Sequence, residues 1–79
     1  MEFGGIYPFN TVAFDGSGIR RYSIEAFDGA NYHTVFSGRE PHREQIVTLP
    51  ETIRDAYKMR LVSPRPIDPE TINIAVYEL

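Results

Sequence analysis

The chain has 79 residues, of which 42 % are hydrophobic and 24 % are charged, a composition typical of one globular domain and not of a disordered segment. Its net charge of −3 offers no basic surface, and no apolar run approaches the roughly 20 residues that span a bilayer, so neither nucleic acid nor a membrane is expected as a partner. Because the sequence has no cysteine, disulfides and thiolate metal sites are excluded, and so small a domain must rely on packing alone or borrow surface from a partner.

The first predicted elements are two strands separated by a glycine-containing turn. Residues 9–14 form a short aromatic and β-branched run, and the Asp-Gly-Ser-Gly cluster at 15–18 predicts a turn after it. Residues 19–27 alternate between apolar and polar positions, which is the pattern of a half-buried strand. The apolar face of that strand would carry Tyr22, Ile24 and Ala26.

A hairpin and a loop follow. The pair Asp28-Gly29 lies between two strand-like runs and predicts a tight hairpin leading into a strand over residues 32–37. Residues 38–44, with the sequence GREPHRE, are polar and contain a proline, so they are predicted to form an exposed loop. The next strand is expected over residues 45–49.

The remainder of the chain is divided by prolines. Pro50 is predicted to end the preceding strand, and residues 51–56 are too short for an ordinary helix and are interpreted as a connector. A strand is expected over residues 57–63, followed by a stiff proline-containing loop over 64–69. The last strand is predicted over residues 71–78, and its two faces would carry Ile72, Ile74 and Val76 on one side and Asn73, Ala75 and Tyr77 on the other.

About six short strands with hairpin turns and no long helix predict an all-β fold, an antiparallel sandwich or barrel. No internal repeat or low-complexity segment interrupts the pattern. We therefore expect a single module that spans residues 1–79.

Short motifs occur along the chain in a fixed order. They are Tyr22, Ile24 and Glu25 in a Y-x-I-E strand, Asp28 and Gly29 in the hairpin, Tyr32 soon after it, Met59, Arg60 and Leu61 in a later strand, and Val76 with Tyr77 in the last strand. This order resembles the second half of the discoidin domain family, also called coagulation-factor C-type or galactose-binding-like domains. The resemblance covers nearly the whole chain and implies a jelly-roll-like β-sandwich that is truncated relative to the family.

The resemblance also indicates what this chain lacks. In sugar-binding members the loop before the Y-x-I-E strand supplies an arginine and an asparagine, and residues 15–18 supply neither. Many members bind a structural calcium through a glutamate at the position of Asn73, and a neutral amide is a weaker calcium ligand than a carboxylate. We therefore expect no calcium, no other metal and no cofactor.

The segment 38–44 is the best candidate ligand-binding site in the sequence. Arg39, His42 and Arg43 bring planar donors close together, and such donors clamp hydroxyl pairs or carboxylates of a sugar. A solvated loop is the simpler interpretation, and a metal site would need further His or Cys ligands. His33 is interpreted as an outward-facing strand residue.

Nothing in the sequence predicts an enzyme. A hydrolase needs a nucleophile with a base, or two carboxylates set apart for acid and base roles, and neither arrangement is visible. The glycine turn at 15–18 lacks the lysine and helix of a phosphate loop. Aromatic side chains could stack on a sugar, but a small sandwich uses its aromatics in the core, so the core is the expected place of Tyr7, Tyr32 and Phe36.

Two functions from different classes follow. The resemblance implies a non-catalytic carbohydrate-binding accessory module of a larger secreted bacterial glycoside hydrolase, placed in the periplasm, at the cell surface or outside the cell. The first ten residues show no basic segment followed by an apolar stretch, so no signal peptide is expected within this chain. The alternative is a structural or protein-interaction domain without sugar binding, which packs on domains of its parent chain or forms a homodimer, because the missing first half would leave an apolar face to be covered.

Overall fold

The computed structural model describes residues 1–16, 19–39, 43–64 and 73–79, and these form two three-stranded antiparallel sheets. The strands are β1 (Phe9–Asp15), β2 (Arg21–Phe27), β3 (Tyr32–Arg39), β4 (Glu44–Ile53), β5 (Lys58–Val62) and β6 (Ile74–Tyr77). One sheet has the order β4-β1-β6 and the other the order β3-β2-β5. The predicted all-β antiparallel sandwich is confirmed.

The core lies between the two sheets and is built on their central strands, β1 and β2. Val12 of β1 and Ile24 of β2 are fully buried, and the ring of Phe14 meets the ring of Tyr22 from the other sheet edge-on, with centroids 5.0 Å apart. The alternation predicted for β2 is confirmed, because its buried positions are Tyr22, Ile24 and Ala26. The two sheets thus bury their inner faces against each other within one chain, and the expected homodimer stays a prediction.

The N-terminal residues extend the β3-β2-β5 sheet beyond β5. The Met59 amide donates to the Met1 carbonyl at 3.0 Å, and the Phe3 amide donates to the Tyr57 carbonyl at 3.0 Å. The ring of Phe3 then packs edge-on against that of Phe9, with centroids 5.8 Å apart. Backbone groups at the start of β5 therefore bond to the N-terminal residues, which covers this part of the sheet edge.

Strand β4 is longer than predicted, and Pro50 does not end it. The strand continues to Ile53, through positions expected to form a connector. Its register against β1 jumps, because Phe9 faces Ile53 whereas Thr11 faces Thr48. Pro50 lies in this interrupted part of an edge strand, where a missing amide donor breaks no ladder bond.

A bulge changes the register between β2 and β3. Glu25 pairs with Thr34, but the preceding residue of β2, Ile24, pairs with Phe36, so Val35 is an extra residue on β3. Since a slip of one residue exchanges the two faces of a strand, the bulge turns Phe36 toward the core and the last residue of β3 toward the outer face. Residues 38 and 39 therefore belong to a strand and not to the predicted loop.

The same register places Gly38 under the ring of Tyr22. A Cβ atom at position 38 would lie 2.4 Å from both Cζ and Oη of Tyr22. That ring is held in place, since Tyr22 is buried and its centroid lies 5.0 Å from the Phe14 ring. The missing side chain at position 38 is therefore a packing requirement of the sandwich.

Tyr32 is not a core residue, and this expectation was wrong. It pairs with Phe27 at the hairpin end of the outer face, with ring centroids 5.1 Å apart, and the Arg60 guanidinium lies 3.7 Å from its ring centroid. Phe36 does pack against the core, as predicted, whereas Tyr7 is exposed. The register, which the bulge sets, decides which aromatic of β3 faces inward.

Two isoleucines in strands test which faces are buried. Ile24→Ala removes a fully buried side chain, so we expect it to lower the free energy of unfolding by about 2–5 kcal/mol. Ile46 lies on the outer face of β4 and is 66 % exposed, so Ile46→Ala should change that free energy by less than about 1 kcal/mol. Urea denaturation of both variants measures the difference. Equal losses would show that the two faces are assigned incorrectly.

Candidate functional site

An open groove crosses the outer face of the β3-β2-β5 sheet, at the end where β2 begins and β3 and β5 finish. Its volume is about 560 Å³, within the range of about 300–1,000 Å³ typical of small-molecule sites. The side chains that line it include Arg21, Ser23, Ser37, Arg39, Val62 and Pro64. The groove is thus mainly apolar by area, and the arginine and serine groups are its polar positions.

Two arginines face each other at one end of this groove. The register pairs Arg21 directly with Arg39, and both side chains are exposed. Among the described residues three ion pairs form, and neither groove arginine takes part in one. Like charges directly opposite each other destabilise a strand pair. Among the described residues, the two groove arginines therefore have no carboxylate partner, and their repulsion is a small cost to the fold.

A pair of serines lies one step further along the same face. The hydroxyl oxygens of Ser23 and Ser37 are 3.2 Å apart, and Val62 of β5 pairs with Ser23 from the other side. Each hydroxyl can donate one hydrogen bond and accept two, so the serine pair retains capacity for a ligand. A polar edge beside an exposed valine suits a ligand that has both hydroxyl groups and C–H faces.

Beyond the serine pair, the same face carries a neutralised pair of charges. Glu25 follows Ser23 by two positions, about 7 Å along the strand, and its Oε1 accepts a hydrogen bond from Nε of Arg60 at 2.6 Å. The Arg60 guanidinium also stacks on the ring of Tyr32. Arg60 is therefore neutralised, and at this end of the face Lys58 lies over the ring of Phe27, 4.6 Å from its centroid.

The three predicted site residues have different positions in the fold. Arg39 lines the groove as the last residue of β3. Arg43 lies just before β4 in the other sheet, where its carbonyl accepts a hydrogen bond from the Gly16 amide at 2.9 Å, and it does not line the groove. His42 lies outside the described residues. Arg21 was missed as a site residue: the alternation of β2 placed it on the outer face, but its pairing with Arg39 depends on the bulge.

The exposed pair of His33 and Asp28 stabilises the hairpin turn. Nε2 of His33 lies 2.6 Å from Oδ2 of Asp28, while Oδ1 of Asp28 accepts hydrogen bonds from the amides of Ala30 and Asn31 at 2.8 and 2.9 Å. These bonds, the Asn31 amide first, lower the pKa of Asp28 to about 2. In the described part of the chain no hydroxyl group bonds to the His33 ring, so the pair lacks the nucleophile of a hydrolytic triad. His33 is exposed, as predicted.

Among residues 1–16, 19–39, 43–64 and 73–79, no group of three His, Cys, Asp or Glu side chains has the spacing of a metal site. No helix in the same ranges is long and apolar enough to cross a bilayer.

Comparison of the chain with protein-family models, with curated proteins and with solved structures gives no match. The resemblance to the discoidin family therefore stays a prediction. The groove and its arginine pair are the features of this chain that bear most directly on function.

The acid sensitivity of the hairpin tests the role of Asp28. Its pKa of about 2 in the folded chain is lower than the unfolded value near 3.8, so its contribution to stability is fully present above about pH 5 and is lost as the pH falls through about 4 to 2. Asp28→Asn should be less stable than the parent near neutral pH, and the difference in unfolding midpoint should shrink to nothing near pH 2. A difference that stays constant with pH would show that the charge of Asp28 does not stabilise the turn.

Proposed function

We propose that this chain is a non-catalytic glycan-binding module and that the groove on the outer face of the β3-β2-β5 sheet is its binding site. One observation carries the proposal: two exposed arginines, Arg21 and Arg39, face each other beside the hydroxyl pair of Ser23 and Ser37. The planar forks of arginine match pairs of oxygen atoms, and serine hydroxyls match single ones. Sugars present both arrangements at the edge of a ring.

The apolar side of the groove fits the same class of ligand. Val62 is 37 % exposed next to Ser23, and Pro64 continues this side of the groove. Sugar rings carry C–H groups on their faces, which bury favourably on such apolar surface. One or two sugar units are the expected contents, because the groove spans only the region between the arginine pair and the serine pair.

The lining of the groove supports binding without catalysis. Glycoside hydrolysis requires two carboxylic acids flanking the scissile bond, and no carboxylate is among the described residues that line the groove. Glu25, an acidic side chain on the same face, bonds to Arg60 at 2.6 Å. The Asp28–His33 pair lies at the opposite end of β2 and β3.

The place of the module in a larger protein rests on the discoidin resemblance. As an accessory domain of a secreted bacterial glycoside hydrolase, it would hold an attached catalytic domain close to its polymeric substrate, and the binding would raise the effective concentration of that substrate. A weak groove suffices for such a role, since several modules or repeated contacts add avidity.

A titration with a panel of neutral and acidic oligosaccharides, followed by two-dimensional NMR of the amide groups, tests the proposal. Binding should shift the amides of residues 21–23, 37–39 and 62–63. Ser37→Trp, which fills the groove, should abolish these shifts, and Thr48→Trp, an exposed strand position on the other sheet, should leave them unchanged.

A chain that binds no glycan of the panel would contradict the proposal. That result would favour the alternative, a structural or protein-interaction domain. The surface for such contacts is an apolar row on the outer face of the β4-β1-β6 sheet, where Ala13 lies between Ile46, which is 66 % exposed, and Ala75.

A further inference from the structure

We infer that the ligand of the groove is an acidic sugar, and that Arg21 and Arg39 clamp its single carboxylate or sulfate group between them. The inference rests on the proposed function and specifies the class of sugar. Neutral sugars would gain hydrogen bonds from the two guanidinium groups, but they would leave the charge of both uncompensated. An anion would remove that charge imbalance as it binds.

The strand register makes the arginine pair a preformed clamp. Residues directly opposite in an antiparallel pair have Cβ atoms about 5 Å apart, so two guanidinium groups at positions 21 and 39 reach the same anion. The repulsion between the two arginines destabilises the free protein, because no described carboxylate pairs with either of them. Binding a carboxylate or sulfate converts this repulsion into two charge-assisted contacts, and such bonds are roughly twice as strong as neutral ones.

The surroundings of the clamp favour one negative charge and not a polyanion. The whole chain has a net charge of −3, so its field does not attract a strongly negative polymer. On the same face beyond the serine pair, Glu25 bonds to Arg60 at 2.6 Å, and Lys58 lies over the ring of Phe27. Lys58 is about 20 Å along the strands from the arginine pair, too far away to share one anion with it. Nucleic acid binding requires the neutralisation of many phosphates, and among the described residues this face holds three cations outside ion pairs, Arg21, Arg39 and Lys58.

The serine pair and Val62 supply the recognition of the sugar ring. With its acidic group at Arg21 and Arg39, the ring of a hexuronate or a sulfated hexose would lie over Ser23 and Ser37, one step along the strands. Its hydroxyl groups would replace water at the serines, and a C–H face would contact Val62. The arginine end of the groove would thus recognise the negative charge, and the end with the serines and Val62 would recognise the sugar ring.

Matched small ligands separate these two contributions. Methyl β-D-glucuronide and methyl β-D-glucoside share a ring and differ in the carboxylate, glucose 6-sulfate carries the other acidic group, and inorganic sulfate has no ring. We expect one of the two acidic sugars to bind at least about tenfold more tightly than the glucoside, as followed by the amide shifts of residues 21–23 and 37–39. The preference should weaken as salt is added, because salt screens exposed charges.

Three arginine variants complete the experiment. Arg21→Gln and Arg39→Gln should each reduce the preference for the acidic sugar about tenfold. The control is Arg54→Gln: Arg54 lies away from the groove and pairs with Glu78 at 3.6 Å, so its loss should leave the preference unchanged. Folding offers a second readout. Removing one arginine relieves the repulsion, so the unfolding midpoint of Arg39→Gln should equal or exceed that of the parent chain.

The outcomes distinguish the inference from the proposed function. If the glucoside binds as tightly as both acidic sugars, or if the groove variants keep the preference, the clamp is wrong and the glycan-binding proposal stands. If inorganic sulfate binds as tightly as the acidic sugars, the arginines bind anions but the sugar ring is not recognised, and the assignment of an acidic sugar is overturned. If no probe shifts the groove amides, both are wrong.

Discussion

The extra residue of β3, Val35, determines which side chains reach each face of the β3-β2-β5 sheet. Before it, Thr34 follows the register of the hairpin, and after it every residue is shifted by one. The shift sends Phe36 inward and Arg39 outward. An unbulged strand would instead turn an arginine toward the core and a phenylalanine toward water, and burying a charge without a partner costs far more than a bulge. The core therefore enforces the register that creates the groove.

Core and groove are built from alternate residues of the same strands. Tyr22 packs on Gly38 and Phe14 on the inner side, while its neighbours Arg21 and Ser23 line the groove on the outer side. A ligand in the groove would meet side chains whose backbone is held by buried packing, which favours a preorganised site. Opposed arginines conflict with the usual rules of strand pairing, and such conflicts concentrate at functional sites.

Local patterns of the sequence predict much of this fold, and long-range pairing accounts for most of what they miss. The alternation around Ile24 and the Asp28-Gly29 hairpin depend on neighbouring residues, so both are visible in the sequence. In the sequence, Pro50 predicts a strand end. The structure tolerates it within β4 because β4 is an edge strand whose ladder with β1 is interrupted there, and neither property is visible without the pairing. Tyr32 is expected in the core because a small sandwich packs its aromatics there, whereas its pairing with Phe27 places it outside.

Only part of the candidate site could be predicted, because the pairing of strands that are distant in sequence decides which residues meet. Arg39 could be found as a cationic residue near other planar donors, but Arg21 becomes its partner only through the register after Val35. The most direct test of the account is therefore the pairing itself, measured by interstrand nuclear Overhauser effects in the free chain. The account predicts contacts that join Arg21 to Arg39 and Ser23 to Ser37. Contacts that join Arg21 to Gly38 instead would show an unbulged hairpin and would contradict the arginine pair on which the proposed site depends.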